Sequence, residues 1–314
     1  MYFLPYYCKM QRKPLLLIFL FLTLINIIVL FFRSHFQYQP YTNYASLYAP
    51  CYENCERKWK EYIYDFPPRE LEEAKKITDS LVVPSSGSFQ KVLKIGSFLY
   101  ERFSGKLGTP SADLLASTPM AQYKKLCSGD TVKLWCNNLA LMFSYFCWSQ
   151  NIICRNIEIF NPGDHHVLNE CYLPESRQWI VVDLTHNLLA VEKDSATNTF
   201  YNLLDFRTAL RNKNSLQAYR STANGIIKST IYSNESFARY YKSIYPVFFY
   251  HWVNYFKVYA RGHKIKEYLL PLSWYDFYDN GKSGNLAFYL KQLLILLWLV
   301  SFFVFLFSRT KFKT

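Results

Sequence analysis

The chain has 314 residues, 51% of them apolar, with only 10 glycines but 27 Tyr and 26 Phe, which is the composition of a folded protein with room for one large domain or two small ones. Its net charge is +13, yet residues 34–290 hold 28 of the 36 Lys and Arg against all 23 Asp and Glu. The remaining cations flank apolar segments at the two ends, which argues against a nucleic-acid module, where basic charge gathers on the folded domain.

Near the N-terminus, Pro14 is followed by LLLIFLFLTLINIIVLFF, a run without charge. At 1.5 Å per residue it spans roughly 27 Å, close to the thickness of bilayer hydrocarbon. It is longer than the apolar region of about 7–15 residues in a cleaved signal peptide, and it runs into Phe31, Phe32 and Arg33, so an uncleaved anchor is expected. A second uncharged run, Gln292–Ser308, is extended by residues 286–290, and the amine of Lys291 can snorkel to the headgroups. Lys9, Arg12 and Lys13 before the first run, and Arg309, Lys311 and Lys313 after the second, place both termini in the cytoplasm. The central region is then extracytoplasmic, which means periplasmic in a Gram-negative cell.

Between these ends, residues 35–50 are polar and tyrosine-rich and form a juxtamembrane linker. Cys51 and Cys55 follow at a spacing that fits neither a CxxC motif nor a complete metal site. Pro67-Pro68 opens a helix over RELEEAKKITDSL, whose early acids suit the helix dipole. Residues 89–103 carry Val92, Ile95 and Leu99 at helical spacing, and residues 105–117 are turn-rich.

The stretch 129–187 holds the chemistry. Cys136 begins a helix on which Ala140 and Phe143 follow at i+4 and i+7, with Leu139, Met142 and Phe146 widening the apolar face. A thiol in a first helical turn meets the positive end of the dipole and unpaired amides, both of which favour thiolate. The segments 166–173 and 179–182 read as a β-hairpin with a polar gap between them, His166 on one strand and Asp183 ending the other. A two-residue loop at Pro174-Glu175 puts His166 opposite Asp183. An even loop displaced by one residue keeps them diagonal on one face, and an odd loop separates them. Cysteine, histidine and aspartate in this order form a nucleophile, a base and an orienting carboxylate. Parity selects His166 over His165. A metal site from His165, His166 and Cys171 lacks a recognised ligand spacing, so no metal and no cofactor is expected.

These residues together resemble the transglutaminase-like superfamily. Cys136 opens WCNNLALMF as in the family's nucleophile helix, and IICR over residues 152–155 resembles the strand start that follows it. His166-Val-Leu-Asn-Glu170 is similar to a His-x-x-Asn-Glu strand, and Trp179 through Thr185 to a Trp-x-x-x-Asp-Pro-Thr ending. Leu134 and Asn151 stand where glycine is usual, and Leu184 where proline is common. The resemblance covers residues 85–215. It implies an α+β fold with a papain-like core, the nucleophile helix packed on an antiparallel sheet and flanked here by two transmembrane helices. Backbone amides near Cys136, the Trp135 indole and the Gln122 amide are the candidate oxyanion donors.

The chain then divides into a tail (1–14), a transmembrane helix (15–32), a linker and helical lead-in (33–84) and the transglutaminase-like domain (85–215). An aromatic-rich C-terminal extension (216–285), a second transmembrane helix (286–308) and a tail (309–314) follow. Within the extension, Asn234-Glu-Ser is a glycosylation sequon and residues 237–259 are strongly aromatic, read as core or membrane packing. The expected activity is thiol acyl chemistry at an amide or peptide carbonyl, by a protease, amidase or transglutaminase-type enzyme. No calcium loop is visible, which favours water as acceptor. Expected partners are the membrane and a protein or peptide substrate, cell-envelope components included. The alternative is a non-catalytic tethered module that binds peptide, cell wall or polysaccharide with the same fold.

Overall fold

The computed structural model describes residues 12–31, 39–40, 67–129, 131–161, 164–242, 247–251, 274–278 and 286–307. Cys51 and Cys55, and most of the expected linker and of the aromatic stretch, lie outside them. The chain separates into two compact units. One holds residues 1–40, 261–272 and 284–314, the other residues 41–260 and 273–283.

In the first unit, α1 (Arg12–Phe31) and α9 (Leu286–Phe307) are both long and apolar enough to cross a membrane. They pack antiparallel: Phe19 meets Phe302 and Phe305, Thr23 accepts a 2.9 Å hydrogen bond from the Trp298 indole, and Val29 meets Ile295. Asn26 and Thr23 donate back to Leu22 O and Phe19 O, so both polar side chains of this apolar helix find partners within the protein.

The second unit is α+β. Pro68 starts α2 (Pro68–Leu81), since a first-turn position tolerates the missing N–H. After it come α3 (Ser88–Phe103), the short α4 (Ala112–Leu115), α5 (Pro119–Ser128), capped by Thr118, and α6 (Cys136–Ser149). The apolar face expected on α6 turns out to extend all round it. Every residue from Asn138 to Ser149 is buried, because α2, α3 and α5 pack on it along with the sheet.

That sheet contains β1 (Cys154–Asn161), β2 (Asp164–Leu173) and β3 (Gln178–Val182), joined antiparallel by β8 (Val247–His251) and β9 (Trp274–Tyr278) in the order β9-β8-β1-β2-β3. A second antiparallel sheet is built from β4 (Ala190–Asp194), β5 (Thr199–Phe200), β6 (Ser215–Thr222) and β7 (Gly225–Tyr232), in the order β5-β4-β6-β7. Between these strands lie α7 (Leu203–Asn212) and, after β7, α8 (Ala238–Lys242).

The motif residues become structural contacts. Asn151, in place of glycine, has φ 58° at the turn into β1, a left-handed position that asparagine tolerates. Arg155 Nε and Nη2 lie 2.9 and 2.5 Å from Glu170 Oε2, with both side chains fully buried, and the guanidinium sits 3.9 Å from the Trp179 ring centroid. Glu170 Oε1 accepts from Leu203 N–H, tying β2 to α7. Asn169 donates to Ala140 O, tying β2 to α6.

Candidate active site

Cys136 is delivered by an extended approach. Leu134 is buried and exchanges backbone hydrogen bonds with Lys106 and Gly108, both at 3.0 Å, which fixes the chain just before the helix. Asn138 Oδ1 accepts Trp135 N–H at 2.9 Å, the back-reaching half of a capping box. Asn138 Nδ2 donates to Gln122 Oε1 at 3.0 Å, and Gln122 Nε2 donates to Ser117 O at 2.9 Å. Gln122 is 1% exposed and its carboxamide is engaged at both ends, so it braces the helix start. The Trp135 side chain is 43% exposed beside a half-buried Cys136. An α-helix leaves the amides of its first turn without intrahelical carbonyls, at the positive end of its dipole.

His166 and Asp183 reach the same place through the hairpin. Its loop is Pro174–Arg177, and the register runs from Leu173↔Gln178 to Asn169↔Val182. The loop is even and displaced by one residue from Pro174-Glu175, so Asp183 sits diagonally from His166 on one face. Their Nε2 and Oδ2 are 2.7 Å apart. Nδ1 of His166 is left unbonded to Asp183, and Cys136 is near enough to add to the rise in the imidazole's pKa. His165, one residue earlier, is exposed.

Two groups that the sequence left without a role complete the cluster. Asp183 caps a 3-10 turn over Leu184–His186, its Oδ1 accepting Thr185 N–H. Residues three apart eclipse in such a turn, and His186 Nδ1 lies 2.6 Å from Asp183 Oδ2. Tyr241 of α8 donates to the same oxygen at 2.5 Å. Its neighbour Tyr240 covers His166, ring centroids 4.8 Å apart. The spacing Asp183-x-x-His186 was visible in the sequence but acquires meaning only once the turn is known to be 3-10. Tyr240 and Tyr241 come from the aromatic stretch, more than fifty residues away, and carried no local signal.

The electrostatics follow from burial and pairing. Burial alone favours the neutral acid of Asp183, but the charges of His166 and His186 and their hydrogen bonds hold its pKa well below the usual carboxylate range. Burial opposes charge on His166 as well, yet Asp183, with Cys136 adding to it, raises its pKa to about 10. The stabilisation from charged His166 is therefore complete below its ordinary value near 6.5 and fades as pH rises through about 10.

Two trios among the described residues bring metal-ligating atoms within 4.8 Å of one another: His166, Asp183 and His186, and Cys147, Cys154 and Cys171. In the first, the 2.6 and 2.7 Å separations are direct hydrogen bonds, shorter than the roughly 3 Å or more between ligands that share an ion at about 2.1 Å. Cys171, weighed in the sequence with His165 and His166, lies in the other trio. A polar groove lined by Glu192, Lys193, Asp194 and Gln217 belongs to the second sheet and contains none of the cluster's groups. Comparisons with protein-family models, with curated proteins and with solved structures found no match for this chain, so the chemistry assigned to the cluster rests on its own geometry.

Proposed function

We propose that the chain is a membrane-anchored thiol enzyme acting on amide or peptide carbonyls, with a transglutaminase-like arrangement of Cys136, His166 and Asp183. The observation that carries this reading is the buried imidazole of His166, 2% exposed and bonded to Asp183 through Nε2, with Cys136 adding to the rise in its pKa.

In this mechanism the Cys136 thiolate adds to the carbonyl carbon, and the oxyanion is met by first-turn amides and the Trp135 indole. The His166 imidazolium gives its proton to the leaving amine, and a thioester forms on Cys136. Neutral His166 then takes a proton from water as it attacks the thioester, releasing the acid and regenerating the thiolate. An amine in place of water gives acyl transfer. Asp183 keeps the imidazole in the orientation both steps need.

Iodoacetamide labelling of the full chain in detergent tests the reading, with exposed Cys127 as internal control. Cys136 is expected to alkylate faster than Cys127 at neutral pH, and His166→Ala to slow it on the order of tenfold. Equal rates at the two cysteines, unchanged in His166→Ala, would overturn catalysis in favour of a tethered binding module.

A further inference from the structure

Cys147, Cys154 and Cys171 are all fully buried. Cys147 comes from α6, and the other two are directly opposed on β1 and β2. Tyr172 N–H donates to Ile153 O, so Ile153 and Tyr172 form the hydrogen-bonded pair and Cys154 and Cys171, one step along, the non-hydrogen-bonded one. Such pairs have Cα atoms about 4.5 Å apart, inside the range of about 4.4–6.8 Å that disulfides span. The two sulfurs are already 3.4 Å apart.

We propose that Cys154 and Cys171 are a disulfide site, formed as β1 and β2 pair, with Cys147 left as a thiol. The competing use of the trio is a metal ion, which needs all three sulfurs as thiolates. Burial pushes the Cys147 and Cys154 thiols well up. Burial opposes ionisation of Cys171 too, but hydrogen bonds from the other two thiols outweigh it and hold Cys171 at about 6. A disulfide can form before the core closes, and its product is neutral, as a closed apolar core requires. The Cys171 thiolate attacks a disulfide-bearing oxidant and expels one thiolate. While the pairing strands are still open to solvent, Cys154 loses its proton to water and attacks Cys171 Sγ, expelling the second. Two cysteine thiols are oxidised, and the oxidant's disulfide is reduced to two thiols. None of Cys136, His166 or Asp183 takes part.

The test is to refold the full chain in detergent in an oxidised glutathione buffer, alkylate it and map its peptides by mass. A Cys154–Cys171 linked pair with alkylated Cys147 is expected. It should survive in Cys147→Ala, be lost in Cys154→Ala, and raise Tm by roughly 5 °C over the reduced protein. Three alkylated cysteines, a link through Cys147, or stoichiometric zinc or copper that disappears in Cys147→Ala would each overturn it. Because the buffer sets the redox conditions, the outcome is independent of the compartment and of the proposed catalysis.

Discussion

Asp183 takes donors from His166, His186 and Tyr241 on a single oxygen, and only an ionised carboxylate is well served by that set. Tyr241→Phe removes one donor while keeping the ring that packs edge-on against Phe206 at 5.0 Å. A buried hydrogen bond to a charge contributes about 1.5–3 kcal/mol, so the variant should lose about that much stability at neutral pH by denaturant unfolding. The sign follows from linkage. Because Asp183 is held below its unfolded value near 3.8, its contribution is present above that pH and lost as pH falls through the folded pKa. The difference between variant and wild type should therefore narrow under acid, once both protonate. A constant difference down to the lowest pH would point to lost packing instead. Of this set, Cys136, His166 and Asp183 could be named from the sequence because they lie on or just past regular elements whose period fixes direction. His186 depends on an irregular turn and Tyr241 on tertiary packing, neither of which sequence periodicity encodes.

The elements that aim the site are joined by the same motif residues that carried the family resemblance. Arg155, Glu170 and Trp179 link β1, β2 and β3, and Glu170 reaches on to α7. Glu170→Gln keeps the shape and removes the charge facing a fully buried guanidinium. Breaking such a pair from one side costs about 3–5 kcal/mol, which thermal denaturation should register as a large fall in Tm. A change within about 1 kcal/mol would show that the aromatic ring of Trp179 alone suffices for Arg155. Helices α2 and α3 were legible because proline and early acids mark the start of α2 and Val92, Ile95 and Leu99 recur at helical spacing along α3. The hairpin was legible in parity but not in loop length, because the polar gap from Pro174 to Gln178 does not mark which of its residues pair. The all-round burial of α6 was hidden, since a 3.6-residue pattern reports one face and says nothing about neighbours packed on the others.

At the scale of the whole molecule, the two terminal helices expose their apolar side chains: Leu17 is 66% exposed, Phe21 62% and Phe307 70%. Only 11% and 17% of the two apolar windows are buried, whereas the core helix of a soluble protein is mostly buried. So much exposed apolar surface calls for a cover, and both helices are long and apolar enough for a bilayer to be the cover we propose. Antiparallel packing puts the start of α1 and the end of α9 at one end of the pair. In the sequence, Lys9, Arg12 and Lys13 fall at or before the first of these ends and Arg309, Lys311 and Lys313 follow the second. Arg33 is the first cation after the opposite end of α1, and the positive-inside rule applied to this charge difference predicts cytoplasmic termini. A cytoplasm-only reporter fused to the C-terminus should then be active. In right-side-out vesicles, a membrane-impermeant thiol reagent should reach exposed Cys127 but reach Thr314→Cys only after permeabilisation. Labelling of Thr314→Cys in sealed vesicles, or a silent reporter, would reject this orientation. Release of the chain by alkaline carbonate would reject spanning altogether, because a surface-bound pair washes off where an inserted one does not.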